Sequence, residues 1–268
     1  QLLFTYNDTL LNIQLGNSYT TTDTLDLTIW YHGAPVMDPS GWGGWYWNSG
    51  YSFNLGVGFG SNPHVYGRVY HPCFDNFSER AKYEFHISTN NGKVAYCNGF
   101  LAGDSTDVNG LRTRIWKMND EIPSYLASIS VASYTHVNYT FNSISGPLPV
   151  MLTAVAADTT NLKNSFIHLP NALAGFENWY GPYVWNRIGY CLVPFGSGAM
   201  EHATNISFPK AAANGTLTYE ADLMAHEFSH HWWGDHTTCE TQEHMWLNEG
   251  WASYSEYLFR DWVYGYSS

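Results

Sequence analysis

The sequence is poor in charged residues, and positive charge is the scarcer sign. Only 13% of its 268 residues are charged, about half of the usual share in globular proteins. The 11 Lys and Arg residues against 23 Asp and Glu give a formal net charge of −12, and no run of basic residues occurs. Because phosphate neutralisation needs clustered Lys and Arg, this composition argues against nucleic acid as a partner and disfavours anionic membrane surfaces.

Long apolar runs and closely spaced cysteines are also missing. No stretch approaches the roughly 18 apolar residues of a transmembrane helix, so we expect no membrane span. The four cysteines are widely separated and form no C-x-x-C pair, which argues against a thiolate zinc site and a thioredoxin-like motif. A polar but weakly charged composition suits a secreted protein, extracellular or periplasmic, in which one or two disulfides could form.

Residues 1–143 have the patterns of a β-sheet domain. The segment TLDLTIW alternates apolar and polar residues over 25–30 and predicts a half-buried strand. AKYEFHISTNNGKVAYCNG predicts a hairpin around residues 90–92. The stretch 39–63 is rich in Gly and aromatics; we interpret it as a self-packed loop and strand edge, with an exposed ligand platform as the alternative.

From residue 144 strand and helix patterns follow one another, which predicts an α+β second domain over 144–268. PVMLTAVAAD and NRIGYCLVPF predict strands, and KNSFIHLPNALAGFENWYG predicts a helix interrupted at Pro170. TLTYEADLMAHEFSHHWWGD predicts a helix capped by Thr218. A further helix is predicted from about Asn248 to Trp262.

The helix that contains HEFSH carries a candidate metal site. His226 and His230 are four residues apart, so both imidazoles lie on one helix face and can reach one ion. Glu227 lies between them, which completes the H-E-x-x-H pattern of two zinc ligands and a general base. Glu249, in LNEGWA after 18 intervening residues, is the candidate third ligand at the start of the next helix.

Other polar residues of this stretch receive weaker interpretations. His231 is rotated by about 100° from His230 on a regular helix and cannot join the same ion. His236 and His244 fall in the predicted loop and are interpreted as surface residues. Asp235 could accept a hydrogen bond from a ligand imidazole and so orient it.

Three segments together resemble the aminopeptidase N family of zinc metallopeptidases. HEFSHHWWGD followed by LNEGWA has the family's spacing, and GAME within VPFGSGAMEHATNISFP matches its G-x-M-E-N exopeptidase motif. GRVYHPCFDNFSERAKYEFHIST is similar to the R-x-x-x-P-C-x-D segment of the family's N-terminal β domain. The resemblance extends from about Arg68 to the C-terminus.

The resemblance implies a multidomain α+β fold, with an N-terminal β-sheet domain followed by the front part of a thermolysin-like catalytic domain. One Zn²⁺ per chain would be held by His226, His230 and Glu249. Glu227 would take a proton from water and pass it to the leaving amine. The implied function is a zinc aminopeptidase that hydrolyses the N-terminal bond of peptides with a free N-terminus.

The exopeptidase motif implies how such a peptide would be recognised. Glu201 would bind the free α-ammonium of the substrate. The backbone of Gly198 and Ala199, next to Met200, would pair with the substrate backbone as an added strand.

The sequence departs from the family at two places. His202 stands where the motif has Asn, directly after Glu201. The family's transition-state-stabilising Tyr lies well beyond the zinc Glu, whereas this sequence ends at Ser268, 19 residues after Glu249. We therefore expect a truncated member, incomplete at the C-terminus of its catalytic domain.

Three alternatives use the same residues. They are a zinc endopeptidase, an epoxide-hydrolase-like relative, and an inactive fragment or binding scaffold on this fold. A requirement for a free amine in the substrate separates an aminopeptidase from the first two, and the intact Glu227 argues against the third.

Overall fold

The structure is a computed structural model that describes residues 1–90, 92–196, 198–217 and 219–265. Within these ranges the chain forms thirteen strands and four α-helices. The strands are β1 Leu3–Tyr6, β2 Leu11–Gln14, β3 Gly43–Asn48, β4 Tyr51–Gly58, β5 Arg80–Thr89, β6 Val94–Cys97, β7 Phe100–Thr106, β8 Arg112–Pro123, β9 Ile129–Ala132, β10 Tyr134–Ser143, β11 Gly146–Val155, β12 Ile188–Val193 and β13 Ile206–Pro209. The helices are α1 Thr159–Ser165, α2 Leu169–Tyr180, α3 Tyr219–Ser229 and α4 Met245–Tyr264.

The N-terminal β domain contains two main sheets. One has the order β3-β4-β9-β6 and the other β5-β8-β7, while β1 and β2 pair only with each other. Strand β4 is buried over almost its whole length, and Phe53 and Leu55 are fully enclosed. The Gly- and aromatic-rich stretch thus contains the antiparallel hairpin β3–β4, with β3 at the edge of its sheet. Its rings pack on one another, as Tyr46 does on Phe53 with 5.0 Å between ring centroids, which agrees with the self-packed strand edge.

Two local predictions for this domain are wrong. The expected hairpin between β5 and β6 does not form, because β5 pairs with β8 and β6 pairs with β9 in a different sheet. The turn around Asn90 is present, with Lys93 N–H donating to the Asn90 carbonyl at 3.1 Å, but the strands diverge from it. Leu25 to Trp30 is not a strand, and Leu25, Leu27 and Trp30 are exposed.

The second sheet system has the order β10-β11-β12-β13. β10 and β11 form an antiparallel hairpin, and β12 and β13 then add in parallel. The predicted domain boundary after residue 143 falls at the turn of this hairpin, so the sheet groups β10 with the strands that follow it. The predicted strands at β11 and β12 are confirmed.

The helices follow the predicted order, with shifted ends. Pro170 lies in the first turn of α2, where a backbone N–H has no acceptor within the helix. The missing N–H of proline therefore costs no hydrogen bond there, and Pro170 stands at the start of a helix instead of interrupting one. Helix α3 ends at Ser229, and α4 begins three residues before the predicted start at Asn248. The predicted cap of α3, Thr218, lies outside the described residues.

One hydrophobic cluster joins the β domain to the helices, from Trp45 through Tyr125 and Tyr190 to Phe228 and Phe259. The mixed architecture confirms the predicted α+β class with an N-terminal β domain. None of the helices in the described ranges is both long and apolar enough to cross a membrane. All four cysteines are free thiols, so the disulfides considered for a secreted protein are not formed.

Candidate metal and catalytic site

Helices α3 and α4 bring the three predicted metal ligands together. His226, His230 and Glu249 each offer one ligand atom, and these three atoms lie within 4.8 Å of one another. Glu249 Oε2 is 3.2 Å from His226 Nε2 and 3.9 Å from His230 Nε2. These separations are close to the spacing of ligands around one tetrahedral ion that is bound at about 2.0–2.2 Å.

The remaining nitrogen of each imidazole has its own partner. Nδ1 of His226 lies 2.8 Å from Glu256 Oε1. Nδ1 of His230 lies 2.6 Å from Asn248 Oδ1 and 3.0 Å from the Trp233 carbonyl oxygen. With Nδ1–H donated to these acceptors, Nε2 of each ring faces Glu249 and is the nitrogen that a cation can take. This is how ligand imidazoles are oriented in zinc sites.

The charges around the cluster also fit a divalent cation. Burial lowers the pKa of His226, but hydrogen bonds with Glu249 and Glu256 outweigh it and raise the pKa to about 10. The excess of carboxylates therefore favours a positive charge at the His226 imidazole. A bound cation reverses this balance by occupying Nε2 and neutralising the carboxylates. The residues present thus fit a zinc ion.

Glu227 is the buried carboxyl group of the site. It is 4% exposed, and its Oε2 has no hydrogen-bond partner. Burial raises the pKa of Glu227 well above its usual range, while His226 lowers it and the carboxylates of Glu201, Glu249 and Glu256 raise it further. A carboxyl group with a raised pKa and a free oxygen is suited to accept and return a proton.

The predicted amine anchor lies directly beside this base. Carboxylate oxygens of Glu201 and Glu227 and a ring nitrogen of His230 lie within 4.8 Å of one another, and all three residues are buried. Nδ2 of Asn248 donates to Glu201 Oε1 at 3.4 Å. Since the same amide contacts His230 through Oδ1, Asn248 links the metal cluster to Glu201.

The segment before Glu201 is ordered by backbone pairing. Met200 and Ser207 form an antiparallel bridge, with N–H to carbonyl distances of 3.0 and 2.9 Å. Ala199 is buried, and Gly198 has φ +74° and faces the Trp42 ring. The predicted pairing of Gly198 and Ala199 with a substrate remains a prediction.

The other candidate residues of the stretch do not join the metal cluster. His231 is buried, and its Nε2 lies 3.6 Å from Asp235 Oδ2. Asp235 therefore faces His231, and not one of the ligand imidazoles as expected. His236 and His244 are exposed, as predicted.

Sequence reasoning missed the residues that orient the ligands. Glu256 follows Glu249 by seven residues, two helical turns, so the spacing on α4 could have identified it. No local sequence pattern indicates the contacts that the β domain makes with this site. Tyr125 Oη donates to the Gly234 carbonyl at 3.2 Å, and Arg80 donates to the Asp235 carbonyl at 3.1 Å. They fix the loop that follows His230.

Comparisons with solved structures identify the class to which this fold belongs. The fold is that of the two-domain zinc metallopeptidases. The M1 zinc metallopeptidase of Deinococcus radiodurans superposes with a TM-score of 0.74 at 23% identity, over 85% of this chain and 51% of that one. Legionella pneumophila aminopeptidase A superposes with a TM-score of 0.73 at 21% identity, over 82% of this chain and 27% of that one.

Sequence relatives point to the same family. Residues 167–268 match the peptidase family M1 domain. Mouse aminopeptidase B is 27% identical over 194 residues, and Xenopus laevis leukotriene A-4 hydrolase is 29% identical over 203 residues. Each alignment covers 72% of this chain, but only 28% and 31% of the respective relative. The match to the family M1 domain over residues 167–268 and these relatives confirm the resemblance found in the sequence.

Proposed function

We propose that the protein is a zinc-dependent aminopeptidase that removes the N-terminal residue of peptides. The observation that carries the proposal is the position of Glu201, whose carboxylate lies within 4.8 Å of Glu227 and His230. An anionic group so close to the base can hold a substrate ammonium beside the first peptide bond. An endopeptidase has no use for a buried carboxylate at this place.

His226, His230 and Glu249 would hold the zinc ion. The bound zinc supplies a Lewis acid that polarises the scissile carbonyl and makes water more acidic. Glu227 accepts the proton of the attacking water on its unpartnered Oε2 and delivers it to the leaving amine. Its burial keeps bulk water away and so favours transfer of that proton to the amine.

Glu201 binds the α-ammonium of the substrate, and Asn248 holds the carboxylate in place through its amide. A family member from Deinococcus radiodurans has been solved with a Tyr-Ser-Ala substrate, which supports a peptide as ligand for this fold. Because the chain spans 28% to 31% of the curated relatives' length, substrates and activity of the whole protein are part of the proposal. Export from the cell is likewise proposed, on composition alone.

The leukotriene A-4 hydrolase among the relatives favours a second candidate, a hydrolase acting on a non-peptide substrate. Its identity to this chain is similar to that of the aminopeptidases. The two candidates differ in one requirement, since only an aminopeptidase needs a free α-ammonium at Glu201.

The test combines metal analysis with substrate selectivity. Zinc content of the purified protein would be measured by mass spectrometry, and hydrolysis of aminoacyl anilides would be followed before and after chelation. We expect one zinc per chain and release of only the N-terminal residue, with acetylated anilides left intact. His244→Ala, an exposed histidine outside the cluster, serves as the matched control for His230→Ala.

Zinc that is retained in His230→Ala as well as in His244→Ala would contradict the ligand assignment. Equal hydrolysis of free and acetylated substrates would contradict the aminopeptidase and favour the second candidate.

A further inference from the structure

The turn that follows Glu201 is docked into the N-terminal β domain by buried polar contacts. Residues 202–205 are all buried, and the His202 carbonyl accepts a hydrogen bond from Asn205 N–H at 3.0 Å. Three β-domain groups bind this turn. Asn98 Nδ2 donates to the Ala203 carbonyl at 2.5 Å, and Gly99 N–H donates to Thr204 Oγ1 at 2.7 Å. Ser128 Oγ accepts a hydrogen bond from Asn205 Nδ2 at 2.9 Å. The backbone beside Glu201 is therefore fixed from the other domain.

His202 is the member of this network that lies directly next to Glu201. Its side chain is fully buried. Nε2 accepts a hydrogen bond from the Gly56 N–H of β4 at 3.2 Å, so the ring proton resides on Nδ1. Nδ1–H then donates to Ser207 Oγ at 3.2 Å. One neutral imidazole thus connects the β domain to the residue that pairs with Met200.

The geometry explains why histidine serves here where the family motif has asparagine. An Asn side chain ends at the level of Nδ1 and can contact Ser207, but it does not extend to the Gly56 N–H. A Gln side chain extends to the level of Nε2 and can accept from Gly56. Strand β4 packs tightly against the β-domain backbone at this point, since a Cβ at Gly56 would lie 1.7 Å from the Tyr125 carbonyl oxygen.

We propose that His202 is a positioning residue that holds Glu201 at the amine site by tying it to Gly56 of the β domain. The inference rests on the proposed function, since it deepens the role given to Glu201. It assigns to the β domain a part in recognising the substrate amine. His202 itself touches neither the substrate nor the metal cluster.

The test compares two variants of similar polarity that retain different contacts. His202→Asn keeps the Ser207 contact only, and His202→Gln keeps the Gly56 contact. Each is made in a zinc-loaded Glu227→Gln background, so that peptides bind without turnover. Affinities for Tyr-Ser-Ala and for N-acetyl-Tyr-Ser-Ala are measured by calorimetry, and their ratio reports amine recognition. Exchange of the Gly56 amide is followed by hydrogen–deuterium exchange.

We expect His202→Asn to reduce the preference for the free amine about tenfold and to speed exchange at Gly56. His202→Gln should keep the preference within about twofold of the parent. Glu177→Gln is the control for loss of stability alone. This buried carboxylate binds Ser143 and the backbone of Tyr183, away from the 202–205 turn, and should leave the ratio unchanged. Should His202→Asn fail to fold, His202→Gln still tests the inference, because a loss of the preference in a variant that retains the Gly56 contact contradicts it.

The possible outcomes distinguish a failure of the proposed function from a failure of the role given to His202. A zinc-loaded parent without any preference for the free amine overturns the proposed function. A parent with that preference, which His202→Asn retains in full, overturns the inference alone. Equal losses in His202→Asn and His202→Gln also overturn it, because the contact with Gly56 then has no part in amine recognition.

Discussion

The predicted metal ligands lie on or next to helices α3 and α4, which are embedded to very different degrees. Around the end of α3, Glu227, Phe228 and His230 are all buried. On α4 the buried residues are Asn248, Ala252, Ser255 and Phe259, while the Glu249 side chain is 56% exposed. The base and the imidazoles are therefore fixed by the hydrophobic core, whereas the carboxylate ligand is positioned by polar contacts at a surface.

The largest expected effect comes from a substitution on helix α3 that leaves the three predicted metal ligands in place. Glu227→Gln keeps the size of the buried side chain but can no longer accept a proton. We expect hydrolysis to fall by about 10²–10⁴-fold while zinc stays bound. Steady-state kinetics together with zinc analysis of the same sample check this. Full activity of the variant would remove Glu227 from the mechanism, and loss of zinc would give it a structural role instead.

A smaller effect is expected where α4 supports a ligand that belongs to α3. Glu256→Gln exchanges the carboxylate at His226 Nδ1 for an amide of the same shape. We expect zinc affinity to weaken by about 10–100-fold, measured by competition with a chromogenic chelator. The exposed Glu243, which contacts no ligand imidazole, provides the control as Glu243→Gln. Equal affinities of both variants would mean that Glu256 does not tune the site.

The difference between these helices also explains what the sequence could predict. His226, Glu227, His230 and Glu249 follow local spacing on two helices, so the pattern alone brought them together. Glu256 obeys the same helical period but was overlooked. Arg80 and Tyr125 reach the site from strands far away in sequence, and no local pattern reports such contacts.

The wrong predictions in the β domain have the same cause, since strand pairing depends on residues far apart in the sequence. Asn90 and Gly92 predicted a turn, which is present, but the choice of β8 as partner of β5 depends on residues more than twenty positions away. The segment 25–30 has the alternation of a strand without a neighbouring strand to pair with. Periodicity indicates what a segment can form, and pairing decides whether it does.

The buried imidazole of His202 should also make the stability of the protein depend on pH. Burial lowers the pKa of His202 to about 3, so the folded protein keeps this ring neutral while the unfolded chain protonates it below about 6.5. Between these values the unfolded state binds more protons, and stability falls as the pH falls. From pH 7 to pH 5 this group should cost about 2 kcal/mol.

His202→Gln removes that titration and retains the contact with Gly56. We expect its free energy of unfolding, measured in urea, to fall by about 2 kcal/mol less than that of the parent between pH 7 and pH 5. His231, whose pKa burial also lowers to about 3, remains in both proteins and accounts for a shared acid sensitivity. Identical pH dependences would mean that His202 does not carry this cost.

The smallest effect is expected on the exposed face of α4. Trp246 is 68% exposed, so Trp246→Gln should change the free energy of unfolding by no more than about 0.5 kcal/mol. Phe259, on the buried face of the same helix, is the contrast, and Phe259→Ala should cost about 3–5 kcal/mol. Similar costs for both, measured by urea unfolding, would show that α4 has no distinct inner and outer face.

The docking of residues 202–205 into the β domain has a consequence for protein engineering. A chimera that combines this catalytic segment with the β domain of a relative exchanges the groups at Gly56, Asn98, Gly99 and Ser128. Buried hydrogen-bonding groups left without partners cost about 1–3 kcal/mol each. In a chimera these positions and the turn therefore have to be exchanged together, because a recombination point between them separates hydrogen-bonding partners.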